Sequence, residues 1–224
     1  MNSGREDLWG LDGPANIRLG LEYSPNGRFM VGLGRSSFDK MFDGFLKYRL
    51  IRQTENDSKP VSLSLLAATY YTAQKDPNAE TNGYDIYSYG TSRFSYCFQA
   101  IFARKFSPTF SLQFSPLLVH YNLVENVDDN NDNYGLAALM RWKFTKRAAI
   151  TSEYALRLNE YSTNEDYYNS FAIGYELETG GHVFQIHFTN SFGIVENRFF
   201  SRTNSKWNNM GIRLGFNISR VFTL

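Results

Sequence analysis

The sequence predicts an all-β protein, an antiparallel up-and-down transmembrane β-barrel, and three observations carry this prediction. Large apolar side chains occupy every second position of residues 184–188 and 210–218, with polar residues or glycine between them. A period of two belongs to a strand and not to a helix. The chain is also rich in aromatic residues, with 19 Phe and 15 Tyr. Finally, polar connections separate many such segments, which is the pattern of strands with one face in lipid and one face toward a polar interior.

Eleven strands follow from this alternation. The first lies near Asn16 to Tyr23, and Asn26-Gly27 after it is a strong hairpin signal. Within the sixth strand, Pro116 weakens one ladder position because proline has no amide hydrogen to donate. The side chains predicted to face outward, strand by strand, are Ile17, Leu19, Leu21 and Tyr23; Phe29, Val31 and Leu33; Leu46, Tyr48 and Leu50; Val61, Leu63, Leu65, Ala67 and Tyr71; Phe94, Tyr96, Phe98, Ala100 and Phe102; Phe110, Leu112, Phe114 and Leu118; Tyr134, Leu136, Met140 and Trp142; Ile150, Tyr154 and Leu156; Phe171, Ile173, Tyr175 and Leu177; Phe184, Ile186 and Phe188; Met210, Ile212, Leu214, Phe216 and Ile218.

The connections between these strands alternate in length. Short ones fall at 24–27, 105–108, 145–146 and 179–181, and long ones at 74–92, 122–133, 159–167 and 193–208. Bacterial barrels have short periplasmic turns, long outer loops and an even number of strands. Eleven strands that end in the periplasm would put residue 1 outside the cell. We therefore expect a single barrel domain over 1–224, with 1–13 as a loop, and a twelfth strand and a signal peptide upstream.

Composition excludes several other classes of protein. Lys and Arg (23) almost balance Asp and Glu (22), so no overall basic field favours nucleic acid as a partner. Runs of about 18 apolar residues, which a transmembrane helix needs, do not occur. Cys97 is the single cysteine, which excludes an intramolecular disulfide and a thiolate metal cluster. We expect no cofactor and no metal, and membrane lipid as the main partner.

Several segments carry a family resemblance: G-L-D-G-P-A-N-I-R-L-G-L-E-Y (10–23), G-L-G-R-S-S (32–37), L-K-Y-R-L-I-R-Q-T (46–54), E-T-G-G-H-V-F-Q-I-H-F-T-N-S (178–191) and G-F-N-I-S-R-V-F (215–222). Together they resemble an uncharacterised family of Bacteroidota outer-membrane β-barrel proteins. The resemblance implies an outer-membrane location in a Gram-negative cell and a further strand upstream of residue 1. It transfers no activity to individual residues.

Alternation also predicts which charged and polar side chains line the lumen. The predicted lumen set is Arg18, Glu22, Lys47, Arg49, Arg141, Lys143, Glu153, Arg157, Glu176, His187 and Arg213. One interpretation is a narrow anion-leaning pore, because a basic ring attracts small anions. The other is a plugged lumen, since long charged side chains can fill the interior of a small barrel with ion pairs.

Two catalytic or metal-binding interpretations are weaker than their structural alternatives. His187 and Ser191 invite comparison with an outer-membrane lipid hydrolase, but residues four apart on a strand are about 13 Å apart, too far for a base and its nucleophile. Asp128, Asp129 and Asp132 lack the glycine and glutamate of a calcium-binding EF-hand loop, which favours a solvated loop. We therefore expect no enzyme activity.

Aromatic residues in the long connections suggest a further site. The predicted loop binding face comprises Tyr84, Tyr87, Tyr89, Phe199, Phe200 and Trp207. The alternative is an interfacial aromatic girdle. We expect a non-enzymatic structural or partner-binding membrane component, with the narrow pore as one alternative. A soluble secreted ligand-binding barrel, with its apolar face inward, is the other.

Overall fold

The computed structural model describes residues 13–76, 79–124, 126–159 and 166–222, and it consists of one antiparallel sheet. Its strands are β1 (Arg18–Tyr23), β2 (Phe29–Ser36), β3 (Met41–Ile51), β4 (Ser62–Thr72), β5 (Phe94–Lys105), β6 (Phe110–Tyr121), β7 (Asp132–Lys143), β8 (Ala148–Arg157), β9 (Ser170–Thr179), β10 (His182–Thr189) and β11 (Arg213–Arg220). Each strand pairs with the next along the chain, so the predicted up-and-down order of eleven strands is confirmed. The short helices are α1 (Ala79–Asn82) and α2 (Glu196–Phe199), with single 3-10 turns at Phe38–Lys40, Gly90–Arg93 and Trp207–Asn209. No helix in the described residues is long and apolar enough to cross a membrane.

The sheet has two unpaired edges, β1 and β11, and does not close into a ring. Because neighbours alternate in direction through eleven strands, these two edges run parallel to each other. Both are exposed on their two faces over most of their length. Only a strand running opposite to both would continue the antiparallel pattern between them. The predicted upstream strand and signal peptide, and the predicted loop over residues 1–12, lie outside the described residues.

Strand parity agrees with the sequence prediction across the sheet. In β4, the side chain of Leu65 is 46% exposed. Ser64 and Tyr70 lie on the opposite face of the same strand and are only 7% and 2% exposed. The same contrast separates Phe98 (51% exposed) from Cys97 (0%) in β5. The apolar face is therefore the outer one, and the polar and small side chains face the interior.

Local departures from regular strands have simple causes. The β5–β6 ladder is interrupted opposite Pro116, where pairing skips from Gln99↔Leu117 to Phe102↔Phe114. Strand β11 begins at Arg213 and not at Met210, because Met210 has a φ of 57° and follows a 3-10 turn. The prediction of strand structure at Met210 is therefore wrong.

The two ends of the sheet differ in the length of their connections. The short-turn end carries 24–28, 52–61, 106–109, 144–147 and 180–181, whereas the long-loop end carries 37–40, 73–93, 122–131, 158–169 and 190–212. Two connections depart from the rule: 52–61 is long for its end, and 37–40 is short. Gly180 and Gly181 have φ angles of 48° and 125°, which glycine adopts at little cost and which the two-residue turn requires.

Buried apolar side chains form one cluster inside the curved sheet. Its members are Met41, Ala68, Tyr70, Cys97, Leu117, Val119, Tyr121, Ala137, Ala155, Val195 and Phe200. Nine of them come from strands, but Val195 and Phe200 come from the β10–β11 connection. The interior therefore holds a segment that is not part of the wall.

Candidate functional site: a plug in the lumen and the cavity beneath it

The β10–β11 connection folds into the interior at the long-loop end, and we call residues 190–212 the plug. Phe200 and Ser201 are 0% exposed, Thr203 is 1% exposed and Asn197 is 2% exposed. Because a solvated loop cannot bury side chains to this degree, the plug belongs to the core and fills this part of the interior.

Helix α2 of the plug is attached to the wall by hydrogen bonds. Tyr70 donates its hydroxyl to Glu196 Oε2 at 2.8 Å, and Gln99 donates to Glu196 Oε1 at 3.2 Å. Asn197 donates its side-chain amide to Ser95 Oγ at 2.8 Å. One carboxylate and one amide therefore engage two strands, β4 and β5. Because both oxygens of the Glu196 carboxylate accept hydrogen bonds from the wall, Glu196 is a principal polar anchor of α2.

A largely buried ion pair attaches the other side of α2. Arg198 pairs with Asp39, and the two side chains are 15% and 14% exposed. Asp39 and Lys40 both have positive φ angles, 55° and 45°, in the short β2–β3 connection. Thr72 supports this conformation by donating its hydroxyl to the carbonyl of Asp39 at 2.9 Å. Left-handed backbone at two non-glycine residues costs free energy, and here it places a carboxylate against the plug.

A glycine in the wall provides the space for the plug's buried ring. A Cβ atom on Gly135 would lie 2.2 Å from Cε2 of Phe200 and 2.5 Å from the carbonyl oxygen of Leu156. No side chain fits at this position of β7 while the ring is in place. The wall and the plug are therefore complementary in shape.

Beneath the plug a cavity of about 950 Å³, lined by both polar and apolar side chains, extends toward the short-turn end. Arg141 donates Nε to Glu176 Oε1 at 2.9 Å, and Gln185 donates to Glu176 Oε2 at 2.8 Å. His187 lies over Gly215, where a Cβ atom would lie 2.1 Å from the imidazole Nε2. The cavity walls thus combine the Arg141–Glu176 ion pair with hydrogen-bonding side chains and with further charged residues, Arg104, Lys105, Glu153 and Arg213.

The structure separates the predicted lumen set into several environments. Arg18 pairs with Asp43 (Nε to Oδ1 3.0 Å) and Lys143 with Glu178 (3.5 Å). Arg157 donates to the carbonyl of Tyr167. The remaining members of the set are distributed as follows: Glu153, His187 and Arg213 line the cavity, Lys47 and Arg49 lie toward the short-turn end, and Glu22 is exposed on the edge strand β1. Among the residues that the structure describes, the interior charges therefore form local pairs and not a single ring.

The structure places the residues of the predicted loop binding face in different surroundings: three belong to the plug, and three lie in the 73–93 connection. Phe200 is fully buried and Phe199 packs against the buried cluster, so neither can contribute to an outer face. Trp207 donates its indole N–H to the carbonyl of Phe171 at 3.1 Å and packs on that ring. The loop tyrosines differ: Tyr84 is 62% exposed and Tyr89 is 76% exposed, whereas Tyr87 is half-buried and lies beneath the Arg93 guanidinium.

The residues weighed as catalytic or calcium-binding have other partners. Ser191 donates its hydroxyl to the carbonyl of Gly193 at 3.2 Å, so its proton goes to that carbonyl and not to His187. Asp132 Oδ1 lies 2.7 Å from His120 Nδ1. The Asp129 carboxylate accepts a hydrogen bond from the backbone N–H of Asn126, three residues earlier in the same loop. Neither geometry brings a nucleophile to a base or several carboxylates to one point.

Several residues of this site were not identified from the sequence. Asp39, Tyr70, Gln99, Glu196 and Arg198 hold the plug, but no motif connects positions so distant in the chain. One signal was available, since 192–200 contains more large apolar residues than the other long connections, as in F-G-I-V-E-N-R-F-F. That composition indicates burial.

Comparison with known protein families matches residues 1–222 to a membrane-bound beta barrel domain, DUF5777. The chain belongs to this family. The match covers nearly the whole sequence and agrees with the outward apolar face and polar interior seen in the structure. No curated protein and no solved structure matches the chain. The alternative of a soluble barrel with an inward apolar face is wrong, because Phe98, Phe114 and Phe216 are 49–57% exposed on the outer face of a membrane-bound domain.

Proposed function

We propose that this DUF5777 domain is a non-enzymatic structural or partner-binding component of the outer membrane of a Gram-negative cell, with a lumen plugged at the long-loop end. The observation that carries the proposal is the plug itself, whose central ring, Phe200, is fully buried inside the barrel wall. A lumen filled by a packed segment leaves the loops and rims as the surfaces available to partners. The outer-membrane location is supported by the short turns at one end and the long loops at the other.

The exposed part of the 73–93 connection is the best candidate for contact with a membrane-protein partner. Tyr84 and Tyr89 expose most of their surface there. Tyrosine is enriched at protein interfaces because its ring is large and rigid and its hydroxyl hydrogen-bonds. Purification from native membranes with the pair Tyr84→Ser/Tyr89→Ser as the comparison tests this role: a companion protein that co-purifies with the wild type and is lost from the variant supports it. An unchanged set of companions in both samples contradicts it.

A narrow anion-leaning pore is the second candidate, and the cavity beneath the plug favours it. About 950 Å³ of the lumen is open below the plug, and its charged lining residues are Arg104, Lys105, Arg141 and Arg213 against Glu153 and Glu176. Glu176 neutralises Arg141, and the remaining cations outnumber the remaining carboxylate. Planar-bilayer conductance of protein purified from native membranes separates the two functions. The plugged-lumen proposal predicts no sustained current from the wild type and measurable current after residues 193–208 are replaced by a short Gly-Ser linker. Anion-selective current from the wild type would favour the pore.

A further inference from the structure

A second pocket lies at the short-turn end, next to the lumen cavity with which it shares Gln53, and its lining is strongly cationic. It has a volume of about 740 Å³ between the β1–β2 turn and the 52–61 connection. Its charged lining residues are Arg28, Arg49, Arg52 and Lys59 against the single carboxylate of Glu55. We call these four cations the basic pocket.

Two of the four cations stand directly opposite each other in the sheet. In the pairing of β2 with β3, Phe29 lies opposite Tyr48, so the next position places Arg28 opposite Arg49. A backbone hydrogen bond from Arg49 N to Arg28 O, 2.9 Å long, joins these two residues. Lys47, one strand repeat away, faces the same side as Arg49. Like charges directly across a pair of strands destabilise it. Such an arrangement is expected where an anion compensates for the repulsion.

Within the part of the chain that the structure describes, no carboxylate forms an ion pair that would provide this compensation. Among the ion pairs of the described residues, none includes a member of the basic pocket or Glu55. The lumen cavity differs in this respect, because Arg141 is neutralised by Glu176. The four cations therefore remain available to a ligand.

The pocket wall is held in place without a ligand. Thr54 N donates to Lys59 O at 3.0 Å, and Lys59 N donates to Thr54 Oγ1 at 3.0 Å, which closes the 52–61 connection on itself. Gln53 ties this connection to β5 by donating to the carbonyl of Lys105 at 2.9 Å and accepting its N–H at 2.8 Å. A pre-ordered wall lowers the entropic cost of binding.

We propose that the basic pocket binds a phosphate-bearing anion presented from the short-turn side. Arginine is suited to phosphate because its planar fork of N–H groups donates two parallel hydrogen bonds to oxyanions. A phosphorylated soluble compound and an anionic lipid headgroup share this chemistry. The inference does not depend on the plugged-lumen function, since the pocket lies outside the plug.

The test compares two variants of equal charge change. Arg49→Gln/Arg52→Gln removes two cations from the basic pocket, and Lys146→Gln/Arg147→Gln removes two exposed cations from the β7–β8 turn. Calorimetric titration with pyrophosphate tests the soluble source, and native mass spectrometry from nanodiscs of phosphatidylglycerol or phosphatidylcholine tests the lipid source. Each lost charged hydrogen-bond donor weakens binding by on the order of tenfold.

Either of two results supports the proposal. Pyrophosphate affinity that falls at least about tenfold in Arg49→Gln/Arg52→Gln but not in the control indicates a soluble ligand. Retention of phosphatidylglycerol over phosphatidylcholine that is lost only in the pocket variant indicates a lipid headgroup. The proposal is overturned if the two variants and the wild type behave alike in both assays, or if both variants lose binding equally. Heat-induced unfolding of the pocket variant, expected at or above the wild-type temperature because repulsion is removed, shows that the barrel is folded.

Discussion

The plug can be tested through its buried ring, because replacing Phe200 by alanine removes the side chain that fits over Gly135. Phe200 is 0% exposed. Truncating a buried phenylalanine to alanine costs about 3–5 kcal/mol where the site cannot collapse. The wall is held by ten antiparallel strand pairings and the plug is not, so this cost falls mainly on docking of the plug. At about 1.4 kcal/mol per factor of ten, the population with the plug released should rise by roughly two to three orders of magnitude.

The single cysteine of the chain can be used to detect release of the plug from the wall. Cys97 is the only cysteine, is 0% exposed, and lies 3.6 Å from the side-chain nitrogen of Gln99, which also holds Glu196. A water-soluble maleimide can reach its thiol only when the plug moves. When opening and closing are fast relative to labelling, the labelling rate follows the open population. We therefore expect Phe200→Ala to accelerate labelling by roughly the same two to three orders of magnitude.

A matched variant controls for loss of aromatic volume. Phe98→Ala removes the same atoms from the outer face of the strand, next to Cys97, without touching the plug. It should label at close to the wild-type rate. Wild-type labelling of Phe200→Ala, or equal acceleration in Phe98→Ala, would refute the reasoning that the plug covers the thiol.

Three further changes test the plug and the outer face. Arg198→Gln leaves Asp39 unpaired, and losing one partner of a buried ion pair costs up to about 3–5 kcal/mol. Cys97 labelling should therefore accelerate at least tenfold. Adding Asp39→Asn to the same protein should reverse part of this acceleration, and no reversal would count against the ion pair. Gly135→Ala places a Cβ atom 2.2 Å from the ring of Phe200 and 2.5 Å from the carbonyl oxygen of Leu156, so both the plug and the β7–β8 pairing must shift and labelling should accelerate. An unchanged rate would contradict the fit. Phe98→Arg puts a charge on the lipid face. For a position near the bilayer midplane it should lower the free energy of unfolding by about 2–4 kcal/mol, as measured by denaturant titration in bilayers. An unchanged free energy of unfolding would mean that this position does not face lipid.

Most of the wall could be predicted from sequence because a strand's period is two and one face is consistently apolar. A shift of one residue would have moved every apolar side chain to the wrong face, so the register is strongly determined. Leu65 and Phe98, for example, are exposed as alternation predicts, while Ser64 and Cys97 face inward. The hairpin glycines were predictable for a local reason, since Gly27 and Gly180 adopt the positive φ angles that their turns require.

The plug could not be predicted by the same reasoning, because its contacts join positions far apart in the chain. Tyr70 and Glu196 are separated by 126 residues, and Asn197 and Ser95 by 102. Periodicity says nothing about a segment that forms only one turn of helix. From the sequence, Phe200 was therefore predicted to be an aromatic residue of a binding loop, although the apolar composition of the residues around it indicates burial.

The predicted lumen charges show an intermediate case. Parity predicts that Arg18 and Arg141 lie on the inner face, but their partners Asp43 and Glu176 depend on the pairing of strands. Sequence alone gives the side of the sheet on which a charge lies, and only the register gives the charge opposite to it. A count of inward cations therefore overestimates the field of the lumen.

The measurement that tests the central claim most directly is the orientation of one strand in a membrane. Cysteines introduced singly at positions 64 to 68 of β4, in a Cys97→Ser background, can carry spin labels whose collisions with lipid-soluble oxygen and a water-soluble nickel complex are compared in bilayers. Labels at Leu65 and Ala67 should meet oxygen strongly, and labels at Ser64, Leu66 and Ala68 should not, because these three face the interior. The opposite alternation, or none at all, would contradict a barrel with its apolar face in lipid.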